Sequence, residues 1–187
     1  MQKVVVEKYN PKWKIEFEKA KSFYEELLSS IEMKVEHVGS TSVEGLWAKP
    51  ILDIDIIVGN VEDSLRAIEL LTTVGYKHIG NLGVEGREVL KYDEDNSYIK
   101  WMEHHLYVCL EGNENLQNHL LLRKHLRNNK KSVELYSVLK RELADKFSDD
   151  IELYIDGKTD LITELLKTEG MNSEKLKRIE SINKKDK

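Results

Sequence analysis

The chain has 187 residues, 40% of them apolar and 34% charged, with a net charge of −5 and one cysteine, which suits one domain with a substantial core. The acidic balance argues against a general nucleic-acid binder, which needs a basic face to neutralise phosphates. A lone Cys109 excludes an intramolecular disulfide framework and a cysteine-rich zinc site, and no apolar run reaches the roughly 18 residues of a membrane span or forms a leader's apolar core, so a cytoplasmic protein is expected.

In chain order, Val4 to Glu7 reads as a short strand or an edge segment. Asn10 offers an N-cap and Pro11 a first helical position, and Trp13, Phe17, Ala20, Tyr24, Leu27, Leu28 and Ile31 then recur at helical spacing. Lys34 to Val38 reads as a strand, Ser42 to Trp47 as one helical turn, and Pro50 opens the next strand. Asn60 caps a helix over residues 61–74 that Gly75 ends. Alternating apolar segments predict strands at Tyr76–Ile79, Glu88–Tyr92, Ser97–Trp101 and His105–Leu110, with Cys109 as a small core residue. From Asn113 to about Leu166 the period is helical, with breaks near Asn128-Asn129 and Ser148-Asp149, which gives three helices. The expected fold is α/β (α+β): a mixed sheet with a helix on each side and a helical C-terminal half, in one domain over residues 1–170. Residues 171–187 are basic and poor in aromatics, and are expected to be a charged, mobile, loosely helical tail.

The densest chemistry lies between Glu36 and Val58, in EHVGSTSVEGLWAKPILDIDIIV. A Gly39-Ser40 turn precedes two aspartates, Asp53 and Asp55, inside an apolar strand. Side chains two apart share a strand face, so both carboxylates project together while Leu52, Ile54 and Ile56 turn the other way. Adjacent buried carboxylates repel, and a divalent cation relieves them. The Gly-Ser backbone supplies N–H groups that can approach phosphate oxygens.

Gly-Ser followed by a strand-borne Asp-x-Asp resembles the DNA polymerase β-like nucleotidyltransferase superfamily, and within it the GrpB family. The matching segments are YNPKW (Tyr9 to Trp13), EHVGSTSV, AKPILDID, HHLYV, LLRKHLR, YSVLK and Gly157-Lys158, in the family's order. The resemblance implies a nucleotidyltransferase-like sheet in which Asp53 and Asp55 hold Mg²⁺, with Mn²⁺ as the alternative. It implies a nucleoside triphosphate as partner, cradled by Gly39, Ser40, Thr41 and Ser42, with transfer of a nucleoside monophosphate to an unknown small-molecule or protein acceptor. Active superfamily members carry a third carboxylate on a neighbouring strand. In EHHLYV that role falls to Glu103 or, as a base, to His105, and Tyr107 stands where the family commonly has histidine.

The resemblance adds Lys49 and Arg87 to the phosphate site. Arg123 and Arg127 lie one helical turn apart, and Arg123 is either a triphosphate contact or a structural ion pair. Lys140 and Lys158 match family lysines and are either phosphate contacts or surface charges. A catalytically inactive nucleotide-binding module is the alternative reading of the same residues.

Overall fold

The computed structural model describes residues 3–93 and 100–184. The elements run α1 (Lys12–Leu27), β1 (Met33–Val38), a 3₁₀ turn (Ser40–Ser42), β2 (Leu52–Val58), α2 (Val61–Thr73), β3 (Tyr76–Gly80), β4 (Arg87–Tyr92), β5 (His104–Leu110), α3 (Glu114–Asn128), α4 (Lys130–Lys146), α5 (Ile151–Thr168) and α6 (Ser173–Asn183). The strands form one sheet in the order β1-β2-β5-β4-β3. Only β2 and β5 run parallel; the other neighbours are antiparallel. This is the expected mixed α/β sheet with a helical C-terminal half.

Short polar side chains start the helices by accepting otherwise unpaired N–H groups. Asn60 accepts from Asp63, Asn113 from Asn115 and Leu116, Asn129 from Ser132, Asp150 from Leu153 and Asn172 from Lys175. The breaks expected near Asn128-Asn129 and Ser148-Asp149 coincide with two of these caps.

The main core lies on one face of the sheet. Leu52, Ile54, Ile56 and Val58 of β2 meet Trp13, Phe17 and Tyr24 of α1 and Ala67, Ile68 and Leu71 of α2. α1 and α2 therefore share that face. The opposite face carries Ile57, Cys109 and Tyr107 against Leu116 and Leu120 of α3. There Cys109 is fully buried and burial pushes its thiol far up, which suits a packing role.

Four segments differ in part from the sequence reading. Val4 to Glu7 forms no strand; it makes a single bridge, Glu7 to Ala48, and Val4 N–H donates to the Ser148 carbonyl. The turn expected over Ser42 to Trp47 forms earlier, at Ser40–Ser42. The strand expected at Ser97–Trp101 falls mostly outside the described residues, and Lys100 and Trp101 are not in a strand. In the stretch expected to be a mobile tail, Ser173–Asn183 form a helix, with Met171 and Leu176 buried against Leu166. The spacing of Met171, Leu176 and Ile179 provides an apolar stripe that the charged composition masks.

Candidate functional site

β2 sits second in the sheet, and its alternation sends Asp53 and Asp55 to the face that α3 covers. β1 and β5 flank them in register: Val38 and His105 lie beside Asp53, Glu36 and Tyr107 beside Asp55. The two carboxylates have different surroundings. Asp53 is 30% exposed in its side chain, whereas Asp55 is wholly buried.

The Gly-Ser turn packs directly on Asp53. Gly39 has φ +67°, and a Cβ built there would lie 2.0 Å from Asp53 Oδ2. Only glycine permits both the backbone angle and the approach. Ser40 Oγ accepts from Lys140 Nζ at 2.6 Å, and that amine also donates to the Trp47 carbonyl at 2.6 Å. Lys140 is 1% exposed and its ammonium sits 4.3 Å from the Tyr136 ring centre. Burial, with the nearby Lys158 charge, pulls its pKa well below normal, against the pull of Asp53. Lys158 is half-buried, and burial together with Lys49 lowers it to about 8. Gly157 makes this possible, because a Cβ there would lie 2.4 Å from Leu143 Cδ2 where α5 meets α4. Lys140 and Lys158, both with lowered pKa values and with Lys49 nearby, form a site short of an anion.

Each aspartate also holds a histidine. His105 Nδ1 donates to Asp53 Oδ1 at 2.9 Å, and His119 Nδ1 of α3 donates to Asp55 Oδ2 at 2.8 Å; a carboxylate only accepts, so the proton is on Nδ1. Burial raises the Asp53 carboxyl, but the His105 bond and the charges of His105, His119 and Lys158 outweigh it and leave the group below its ordinary value. Burial lowers His119, and Asp55 outweighs that in turn.

The expected site residues divide into three groups. Gly39, Ser40, Lys49, Asp53, His105 and Lys140 converge. Thr41 and Ser42 brace the turn instead: Thr41 Oγ1 donates to the Ile51 carbonyl and bonds His37 Nε2, while Ser42 Oγ donates to the Gly39 carbonyl. Because Thr41 has one proton to give, His37 must donate and carries a hydrogen on Nε2; burial lowers its pKa to about 4, which keeps the ring neutral near pH 7. Arg123 is a structural ion pair here, donating to Glu36 Oε2 at 2.7 Å and to the His37 carbonyl at 2.6 Å. With Arg127 it lines a cleft of about 930 Å³, which lies behind the turn and is not lined by the aspartates.

Arg87 donates to Asn115 Oδ1 and lies 5.0 Å from the Tyr107 ring centre, on the Asp55 side. Glu103 precedes β5 and is exposed; His105, not Glu103, occupies the register position beside Asp53. The adjacent His104 turns to the core face, where its Nε2 bonds the Tyr76 hydroxyl at 2.6 Å. Sequence reasoning missed His119: nothing in the helical pattern of α3 distinguishes it until the fold lays that helix over Asp55.

The donor set fits a hard cation. Among the described residues, Asp55 Oδ1 is buried with no hydrogen-bond partner, a state that costs about 1–3 kcal/mol or more for a charged group. Among the described residues, no group of three or more His, Cys, Asp or Glu side chains is arranged to hold an ion. A cation on this pair would thus complete its shell with water and phosphate oxygens, which is the habit of Mg²⁺.

Residues 3–168 match the family model described as GrpB protein. Among curated proteins, the chain is 31% identical over 176 residues to UPF0157 protein YqkA of Bacillus subtilis (strain 168), covering 94% of this chain but 49% of that protein. It is 29% identical to glutamate-rich protein GrpB of Alkalihalophilus pseudofirmus, covering 87% of this chain and 94% of that one. The crystal structure of the conserved protein GrpB from Enterococcus faecalis superposes with TM-score 0.75 at 32% identity, over 93% of this chain and 98% of that one. Cid1 in complex with its short product ApU superposes with TM-score 0.53 at 16% identity, over 74% of this chain and 42% of that one, a likeness of fold. No helix among the described residues is long and apolar enough to cross a membrane.

Proposed function

The chain belongs to the GrpB family, and from that premise we propose that it is a Mg²⁺-dependent nucleotidyltransferase, with Mn²⁺ as a substitute ion. One observation carries the reading: a glycine turn packed against a strand-borne aspartate pair, with Ser40 held by the buried Lys140 and Lys158 close by. Cid1, which shares the fold, is described as a poly(U) polymerase and has been seen with MgGTP; this supports a nucleoside triphosphate as ligand, and fold alone does not fix chemistry.

On this reading Asp53 and Asp55 would hold the cation, which when bound neutralises charge on the phosphates and orients them. The Gly39–Ser40 backbone, Ser40 Oγ and the three lysines bind the terminal phosphates. An acceptor hydroxyl forms a bond to the α-phosphorus, the bond from that phosphorus to the bridging oxygen breaks, and pyrophosphate leaves with the electron pair. The hydroxyl proton passes to an imidazole. His105 and His119 both have Nδ1 pinned to an aspartate, which leaves Nε2 to take it.

The second reading, a nucleotide-binding module without turnover, has its own support: β5 sets His105 and Tyr107 beside the aspartates, where active superfamily members carry a carboxylate. Calorimetric titration with ATP, GTP, CTP and UTP, with and without Mg²⁺, tests both. Metal-dependent binding that Asp53→Ala/Asp55→Ala abolishes supports a nucleotide site, and pyrophosphate release then separates transferase from module. No binding of any triphosphate overturns both readings.

A further inference from the structure

A second cavity, about 650 Å³, opens on the far side of His119, between α3, α5, α6 and the β3–β4 turn. That volume suits a small molecule. Leu122, Ile162, Leu166 and Ile179 supply apolar lining, and Asn118 and His119 supply polar atoms. Its charges balance: Glu85 and Glu114 oppose Lys175 and Arg178, with Arg178 paired to Glu114 at 2.9 Å and Lys175 bonded to Gln117. A charged ligand gains nothing specific here.

The polar groups ask for a hydroxyl. His119 Nδ1 is committed to Asp55, and Nε2, across the ring, has no hydrogen-bond partner among the described residues. Asn118 Oδ1, in the same wall, is buried without a partner. One hydroxyl donates to Asn118 Oδ1 and a second donates to His119 Nε2, the acceptor nitrogen of a ring whose proton is on Nδ1. We propose that this cavity binds an uncharged amphipathic molecule through its hydroxyl groups. Resting on the transferase reading, it is the acceptor's site. The lysines meet the aspartate pair at Asp53, and His119, which lines the cavity, is bonded to Asp55, so triphosphate and acceptor approach the pair from different sides. Of the two imidazoles, the acceptor then faces His119.

The full chain is tested with octyl β-D-glucoside, kept below micelle formation, by saturation-transfer NMR. The wild type is expected to bind it at millimolar concentration and to bind hexyltrimethylammonium, of similar length but cationic and without hydroxyls, at least about tenfold more weakly. Ile179→Trp fills the cavity and abolishes glucoside binding; Asn118→Leu, a smaller change, weakens it about tenfold. ATP·Mg²⁺ titration of the same samples reports on the other site. Glucoside binding lost in Ile179→Trp with ATP binding retained supports the proposal. Glucoside binding without ATP binding leaves the cavity standing and removes the acceptor role with the transferase reading. Absence of glucoside binding, equal binding by Ile179→Trp, or equal affinity for the cationic probe overturns it.

Discussion

Asp53 and Asp55 are two residues apart on one strand, share one face, and differ in almost everything else. Asp53 lies against a glycine turn, within reach of the charges of Lys140 and Lys158, and keeps part of its side chain in solvent. Asp55 is buried under α3, bonded to His119 through one oxygen and, among the described residues, to nothing through the other. The strand decides only that they are neighbours. The helices of the C-terminal half decide that one end of the pair is basic and partly exposed, and that the other is buried beneath His119.

Removing both carboxylates should erase the distinction: Asp53→Ala/Asp55→Ala is expected to weaken Mg²⁺-dependent triphosphate binding by more than about 100-fold in calorimetry. If the double variant binds as the wild type does, neither end is a nucleotide site. Gly39→Ala attacks the Asp53 end alone. A Cβ 2.0 Å from Asp53 Oδ2 at φ +67° should cost about 3 kcal/mol of stability in urea unfolding and displace the turn. An unchanged midpoint would mean that the close packing of turn on aspartate is wrong.

Arg123→Ala sharpens the comparison by separating brace from ligand. It should cost about 1–2 kcal/mol, because a partly buried Glu36 loses its partner, yet leave triphosphate affinity within about twofold. A tenfold loss of affinity at intact stability would return Arg123 to the phosphate site.

The smallest effect is a pH dependence at Lys158. Its folded pKa, about 8, lies below the unfolded value of about 10.4. The folded state therefore resists protonation; the penalty is full below about pH 8 and fades as pH rises toward the unfolded value. Lys158→Met should raise the melting temperature at pH 7 by a few degrees and less at pH 10. The same lysine binds phosphate only when charged, so wild-type affinity should fall by up to about tenfold as pH rises through 8, and Lys158→Met should flatten that decline. A variant whose melting temperature gain grows with pH would contradict the shift.

Several of these features could be read before folding. Period-two apolar alternation in LDIDIIV determines the aspartate face, because a strand has no other way to place residues two apart. The asparagine caps determine where the C-terminal helices begin, because a short polar side chain satisfies unpaired N–H groups locally. The Gly39-Ser40 turn and its link to Asp53 were visible as a motif, whereas Lys140 and Lys158 stood out only as lysines that match the family's, either phosphate contacts or surface charges. The pairing of Arg123 with Glu36 spans 87 residues, so no local pattern distinguishes it from a phosphate contact. Likewise α6 docks through a thin apolar stripe inside a charged sequence.

What the sequence by itself determined, then, is local: the strand face, the caps, the glycine at a turn no other residue could make, and through these the family and the mixed sheet. Only the tertiary structure decided which hydroxyls of the turn face the lysines and which brace it, that His105 rather than Glu103 lies beside Asp53, and that His119 closes over Asp55. Those outcomes depend on strand register and helix packing between residues 50 to 100 positions apart, where the energy of each contact exists only once the core has brought its two sides together.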